Sequence, residues 1–546
     1  MTVGEPPHTK TGYCAGTKTF HSLRTPVPLP PSTTHLSAAA YALSLQSNSP
    51  WSDASAALID STAGHRISYS QFRRHVKALA FYLRTVVGLS KNDVSFVISP
   101  NSTRVPILYF SLLSLGVAIC PANPLSTRSE ISRQIVLSKP VVAFVTSATE
   151  AKVAGLGIRT IFIDADEFES MMSRRITSSR SEPISDVEVN QDDLAAILFS
   201  SGTTGNVKAA MLTHRNFIAI TACFYHQRLE RTFPAVVLCT SPYFHVYGLS
   251  FSLKSVALTE AVVVMERYEL GRMLKAVEEY KVTHLSVVPP IVLAMVKNDA
   301  SDNFDLGSLE AVGCGAAPLG KDVSDAFIKK FDGVTLHQGY GMTETSGGIF
   351  RTASPEESLR WGSVGKLQPN CEAMIVDPET GTQLPPGKQG ELWVRGPMVM
   401  KGYVDDPKAN SETLVMDGWL RTGDVCYIDD EGFLFVVDRL KELIKYKGYQ
   451  VPPVELEQLL HSHPDIVDAA VIPYPDEEAG QVPLAFVVRR PQSSLDEGQV
   501  MKFIAEQVAP YKKVRRVVFI GSIPRNASGK ILRRELTKIL LPHSKL

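Results

Sequence analysis

The 546-residue sequence lacks the marks of several protein classes. Its seven cysteines, Cys14, Cys120, Cys223, Cys239, Cys314, Cys371 and Cys426, are scattered, with no CxxC pair and no histidine at zinc spacing. Disulfides and a zinc centre are therefore not expected, and buried or free thiols in a reducing compartment are. Charge of one sign is also missing: 56 Lys+Arg balance 56 Asp+Glu. This excludes the basic excess of a general nucleic-acid or membrane-surface binder. There is no long hydrophobic run. The most apolar stretch, Val105 to Cys120, is interrupted by Ser111, Ser114 and Gly116 and stops at Pro121. It is too short for a membrane span and reads as a buried helix leading into a strand. Met1 to Ser32 is polar and Pro-rich, without the charged-then-apolar layout of a secretory signal. There is no internal repeat, and the one biased tract, Ser170–Ser185, is expected to be a surface loop.

What is present is alternation. "ALIDS" from Ala57, "VSFVIS" from Val94, "VVAFVTS", "TIFID", "LAAILFS", "AVVLCTS", "AVVVME" and "HLSVVPP" read as buried strands. Helical spacing lies between them, clearest over Tyr69–Val87 with Ser68 or Ser70 as its cap. This pattern predicts an α/β protein with largely parallel sheets. After about Asn370, short strands and tight turns at Glu379-Thr380-Gly381 and Pro386-Gly387 predict a small antiparallel β unit. The run from Tyr427 reads as a hairpin, a basic link and a helix from about Pro453. A chain this long exceeds one core. The expected organisation is a large N-terminal domain over 1–438, of parallel-rich α/β sheets plus the small β unit, and a small mobile C-terminal α+β domain over 439–546.

Four segments carry chemistry. In "LFSSGTTGNVK", an apolar strand runs into Ser200, Ser201, Gly202, Thr203 and Thr204, with Lys208 following. Close backbone N–H groups, hydroxyls and a cation are what a phosphate needs. The pattern is not the GxxxxGK[ST] loop; the bland alternative is a Ser/Gly hairpin turn. "HQGYGMTET" places Tyr340 for stacking on a base, Thr343 for a phosphate and Glu344 for Mg²⁺. "LRTGDV…DRLKELIKYKGY" holds Asp424, able to accept from two ribose hydroxyls, and the basic Lys441, Lys445 and Lys447. "PRNASGKILRREL" sets Lys530 on a Gly turn before a helix. Each alone could be a loop with a solvated charge; four in this order point to a nucleotide-using enzyme.

Together these motifs resemble the adenylate-forming superfamily of acyl-CoA synthetases, luciferases and peptide-synthetase adenylation domains, from about Thr25 to Glu535. "YFHVYGL", "VGCGAAPLGK", "QGYGMTET" and "VAPYKKVRRV" are similar to plant 4-coumarate–CoA ligases, and with the ending Ser544-Lys545-Leu546, a peroxisomal address, to their peroxisomal 4-coumarate–CoA ligase-like branch. The resemblance implies an ATP- and coenzyme A-dependent acid–thiol ligase using Mg²⁺. Ser200, Ser201, Gly202, Thr203, Thr204 and Lys208 would cradle the ATP phosphates. Gln338, Gly339 and Tyr340 would frame the adenine, Thr343 would meet the α-phosphate, and Glu344 would hold the metal. Asp424 and Arg439 would take the ribose, and Lys445 would contact the nucleotide. Lys441 would be the hinge, Lys530 the adenylation lysine and His245 the histidine near the acyl carboxylate. Arg267, Lys447 and Gly448 would meet coenzyme A.

By the same resemblance the acid pocket falls at Tyr247, Phe251, Gly313, Ala316, Gly339, Gly347 and Gly348. These are small or apolar, so a long or bulky hydrophobic acid is expected, a fatty acid or jasmonate precursor ahead of a cinnamate. Two departures, Val207 and Ala209, stand where the family has Pro and Gly, and Ala209 implies that its position needs no positive φ. A luciferase-like oxygenase and a non-catalytic nucleotide or acyl binder are the alternatives, and the intact set Lys208, Glu344, Asp424, Arg439 and Lys530 counts against the latter. The remaining expectations are a monomer in peroxisomes that meets an import receptor through its tail and binds no nucleic acid.

Overall fold

In the computed structural model, the described residues are 7–51, 53–174, 187–201, 207–447, 449–526 and 529–540. Two β-sheets enclose a common core of helices. The first sheet runs, in spatial order, Arg159–Phe162, Val142–Val145, Val94–Ile98, Ala118–Ala122 and Leu194–Ser201, all parallel, then the antiparallel Val207–Thr213 and Gly402–Tyr403. The second runs Ala56–Asp60, Ala261–Val264, Val236–Cys239, His284–Val287, Ala311–Cys314 and Thr335–Met342, again parallel.

Alternation within each strand sorts side chains into separate cores. Leu58, Val97, Val237 and Val262 face the helices Tyr69–Tyr82, Arg104–Ser114, His214–His226 and Val246–Ala257 between the sheets. Ile59, Leu238 and Val263 face an outer layer that includes Leu270–Tyr280 and Pro289–Lys297, and Phe96 and Ile98 face the helix Arg128–Ser138. Because both faces are covered, these strands read as continuous apolar runs.

Local signals worked where the chemistry is local. Ser68 caps its helix reciprocally with Gln71, and the helix ends as a π turn, Leu83–Val87, at left-handed Gly88. Pro121 lies inside a parallel strand rather than ending it, beyond the one residue pair, Ile119 with Ala196, that joins that strand to Leu194–Ser201. The Ser-rich tract differs from the expected loop at its start: Ser170 and Ser173 belong to the helix Asp166–Ser173, formed because Phe168, Met171 and Met172 share one buried face. Residues 175–186 lie outside the described set.

The strand Thr335–Met342 changes partners midway. Its first half is parallel to Ala311–Cys314, and its second half pairs antiparallel with Gly347–Arg351. It thereby joins the parallel sheet to an antiparallel one containing Ser363–Leu367, Phe433–Arg439, Trp419–Ile428, Gly390–Arg395 and Glu372–Val376. A Cβ on Gly341 would lie 1.9 Å from the Gly347 carbonyl oxygen, so this crossing requires glycine.

From Ile444 a separate small sheet begins: Ile444–Tyr446, Tyr449–Val451, Ile466–Asp476, Gly480–Arg489 and Arg516–Phe519, covered by Pro453–Ser462 and Glu497–Ala505 around their own core. This unit docks on the larger one. Lys297 donates to the carbonyls of His461 and Ile466 at 3.0 and 2.6 Å, and burial lowers its pKa to about 8. All seven cysteines are buried. Among the described residues no helix is long and apolar enough to cross a membrane.

Candidate functional site

A cavity of about 1070 Å³ opens between the two units, at the strand where parallel pairing gives way to antiparallel. Ligands in open α/β sheets gather at the carboxyl ends of strands, and the predicted residues arrive there from four elements. Ser200 and Lys208 come from the hairpin Leu194–Ser201/Val207–Thr213, where they face each other in register. The Ser201 side chain and Gly202, Thr203 and Thr204 lie outside the described residues. Ala209 sits in extended backbone opposite Phe199 and is absent from the positive-φ residues.

Gly339, Tyr340, Thr343 and Glu344 line the cavity; Gln338 is buried just behind it. The Tyr340 hydroxyl donates to Asp424 Oδ2 at 2.6 Å, and Arg439 Nε stands 3.5 Å from Asp424 Oδ1. Register makes this pairing inevitable, because Asp424 and Arg439 are direct partners between adjacent strands. Burial pushes the Asp424 carboxyl up, while Arg439, Tyr340 and Lys530 pull it back. The Glu344 carboxylate accepts from the Tyr403 hydroxyl at 2.8 Å, and Lys208 Nζ lies 4.8 Å over the Tyr403 ring. Tyr403 was not picked out from the sequence. It sits at the end of the run "MVMKGY", but only the pairing of Gly402–Tyr403 with Ala210 and Met211 brings it to Lys208.

Lys530 enters the same cavity from the small unit. Its loop is held by Asn526, whose Oδ1 accepts from the Lys530 N–H at 2.9 Å. Gly529, at φ +82°, lies against Val288 of the large unit, where an added Cβ would sit 3.0 Å from Val288 Cγ2. Burial, then the Arg439 charge, lowers the Lys530 pKa, against the pull of Asp424 and Glu344. His245 caps the helix Val246–Ala257: its Nδ1 accepts from the Tyr247 N–H at 3.2 Å, leaving Nε2 as the protonated nitrogen. Burial, then Lys530, lowers its pKa to about 4, so its ring is neutral. Lys441 lines the cavity at the link between the units.

Of the seven acid-pocket residues, Ala316 and Gly339 line this cavity. Of the others, Tyr247 and Phe251 belong to the helix Val246–Ala257, Gly313 to the strand Ala311–Cys314, and Gly347 and Gly348 to Gly347–Arg351. Tyr247 donates to Ser286 Oγ at 3.2 Å, Phe251 is buried beside it with ring centroids 6.3 Å apart, and Gly313 shares the row of Ser286. A Cβ on Gly347 would meet Ile220 and Ser250, and one on Gly348 would have room. Polar residues share rows with these positions. Ser286, Gly313 and His337 form one cross-strand row, and Gly339, two residues on, faces Arg351. Side-chain spacing in one strand could not reveal a row built across four.

Other residues are not brought to the cavity. Arg267 is exposed elsewhere. Lys445 lies on the exposed face of the small unit's first hairpin, and Lys447, in its turn, pairs with Glu478. Gly448 and Ser544, Lys545 and Leu546 lie outside the described residues.

The family model of the AMP-binding enzyme matches residues 48–404, and that of the AMP-binding enzyme C-terminal domain matches 455–530. The chain belongs to the AMP-binding enzyme family. Among this family's members, 4-coumarate–CoA ligase-like 9 of Arabidopsis thaliana is 51% identical over 97% of this chain and 96% of its own length. Peroxisomal OPC-8:0-CoA ligase 1 of Arabidopsis thaliana is 43% identical over 99% of each. ATP-bound MatB from Rhodopseudomonas palustris superposes with a TM-score of 0.81 at 26% identity, covering 92% of this chain and 99% of MatB. As an AMP-binding enzyme of the plant 4-coumarate–CoA ligase-like branch, the chain is an acid–thiol ligase that uses ATP and coenzyme A and forms an acyl-adenylate.

Proposed function

We propose that this ligase activates a hydrophobic carboxylic acid, a fatty acid or oxylipin of the jasmonate-precursor kind, inside peroxisomes, and that the arrangement described is its adenylating one. The observation that carries the reading is Lys530, delivered by the small unit into the cavity that holds Asp424, Glu344 and His245.

In the first step the acid's carboxylate oxygen bonds to the α-phosphorus of ATP and pyrophosphate leaves. Negative charge builds on the α-phosphoryl oxygens, and a buried ammonium preorganised beside them stabilises it without reorganisation. Lys530 supplies that charge, Thr343 a hydroxyl, and Ser200 and Lys208 hold the leaving phosphates. Tyr340 packs at the base, and Asp424, oriented by Tyr340 and Arg439, accepts from the ribose hydroxyls. Among the described residues no cluster of three or more metal-ligating side chains exists. The single buried carboxylate of Glu344, oriented by Tyr403, fits Mg²⁺, which takes one or two carboxylates with substrate phosphates. Bound there, the ion neutralises phosphate charge. Neutral His245 stands near the acyl carboxylate as a positioning group.

In the second step the coenzyme A sulfur bonds to the acyl carbon and AMP leaves. Lys530 then has no role, and Lys447, at the end of the strand Ile444–Tyr446, would have to approach. A swing of residues 439–546 about Lys441 exchanges the two faces. A tail of Ser544, Lys545 and Leu546 would supply the peroxisomal address, and the peroxisomal relative supports that location. The test is ATP–pyrophosphate exchange and thioester formation over fatty, oxylipin, cinnamic and benzoic acids. Exchange confined to cinnamic acids overturns the acid class, and no exchange with any acid overturns the reading.

A further inference from the structure

Beside the cavity stands a cation with no ion pair among the described residues. Arg351 follows the two glycines Gly347 and Gly348 and pairs directly with Gly339, a lining residue of the cavity, so the two positions share one face of the sheet. A Cβ on Gly339 would lie 3.7 Å from the Arg351 Cβ. The guanidinium lies 4.8 Å over the Phe224 ring, and its Nη2 donates to the neutral Gln227 Oε1 at 2.8 Å. Its Nε is buried without a partner. Among the described residues no carboxylate pairs with it: the nearby Glu357 is occupied by Arg24 at 2.9 Å and by the Ala353 N–H at 2.7 Å. The surroundings add donors rather than acceptors. Arg24 Nε and Gln368 Nε2 are also buried and unpaired, and Arg24 donates through Nη2 to the Arg351 carbonyl. His337, in the same face, spends Nδ1 on Thr352 and Ser358.

A buried guanidinium costs free energy unless a polar or charged group meets it. Burial already pulls its pKa down to about 10, yet it stays charged at neutral pH. An all-alkyl acid reaching this residue would desolvate it with nothing in return. A purely apolar pocket would hold a leucine or methionine here.

We propose that Arg351, oriented by Gln227, is a specificity-determining residue that binds an sp² oxygen, carbonyl or carboxylate, at the end of the acid remote from the reacting carboxylate. The substrate class is then oxygenated long acids rather than plain fatty acids. This rests on the acid-activating reading above.

The experiment measures ATP–pyrophosphate exchange with length-matched straight-chain acids ending in a methyl, a ketone or a second carboxylate, for the wild-type chain, Arg351→Met and Arg351→Lys. The expected result is a wild-type kcat/KM for an oxygenated acid roughly ten- to a hundredfold above its methyl-ended match, the scale of a hydrogen bond to a charged group. Arg351→Met should erase or invert that ratio while keeping exchange with the methyl-ended acid, and Arg351→Lys should restore part of it. Ketone and dicarboxylate arms distinguish a neutral from an anionic oxygen. A wild-type ratio near one, or favouring the methyl-ended acid at every length, overturns the proposal even if a variant fails to fold. An oxygen preference untouched in folded Arg351→Met also overturns it. Failure of the ligase reading is separate: it would leave no exchange with any acid.

Discussion

One contact in the docking of Lys530 has a perturbation that can be worked out. Gly529 is held at φ +82° against Val288. Replacing it by alanine adds a methyl 3.0 Å from Val288 Cγ2, closer than side-chain contacts settle. Valine is branched at Cβ and stiff, so it cannot swing aside cheaply. The left-handed backbone costs alanine about 1–2 kcal/mol wherever the small unit stands, and that part cancels between orientations. The clash with Val288 exists only in the docked arrangement, and overpacking of this kind costs about 1–3 kcal/mol. Gly529→Ala should therefore lower ATP–pyrophosphate exchange roughly 5- to 150-fold, with thioester formation from supplied acyl-adenylate near the wild-type rate. Val288→Ala in the same chain should return most of the lost exchange, a coupling that a double-mutant cycle reads directly. Equal loss in both half-reactions, or no rescue by Val288→Ala, would refute the reasoning.

Tyr403→Phe removes the hydroxyl that orients Glu344, and should raise the Mg²⁺ concentration for half-maximal exchange by roughly tenfold; an unchanged Mg²⁺ dependence would show that the bond does no such work. His245, with its pKa lowered from 6.5 to about 4, is neutral at neutral pH, so the exchange rate should show no imidazole limb between roughly pH 6 and 8. Because its folded-state pKa is depressed, its contribution to stability is full above 6.5 and falls as pH drops towards 4, which thermal melts of wild type and His245→Gln can follow. Lys441→Pro should stiffen the link and slow overall turnover more than exchange; unchanged turnover would rule out the swing.

Much of the fold was legible because its strands are buried on both faces and announce themselves as apolar runs, and because caps such as Ser68 with Gln71 act within one turn. The segments proposed for the nucleotide stood out for a related reason: a phosphate or ribose needs particular atoms close in sequence, as Thr343-Glu344 and Asp424 offer. What failed to show was assembled across strands. Tyr403 reaches Glu344 through a strand pairing between residues far apart in the chain, Ala210 with Tyr403 and Met211 with Gly402. Arg351 reads in sequence as a charge following a glycine pair, and only the register with Gly339 sets it beside a cavity-lining residue. The helical start of the Ser-rich tract was missed because serine composition outweighed the spacing of Phe168, Met171 and Met172.

The central claim is that Lys530 serves adenylation alone. The most direct measurement compares both half-reactions of Lys530→Ala with wild type, acyl-adenylate formation from acid and ATP against thioester formation from supplied acyl-adenylate and coenzyme A. The account predicts a loss of roughly 10²- to 10³-fold in the first, the scale of removing one preorganised charge-stabilising donor, with the second close to wild type. Equal losses in the two, or an intact first step, would contradict it.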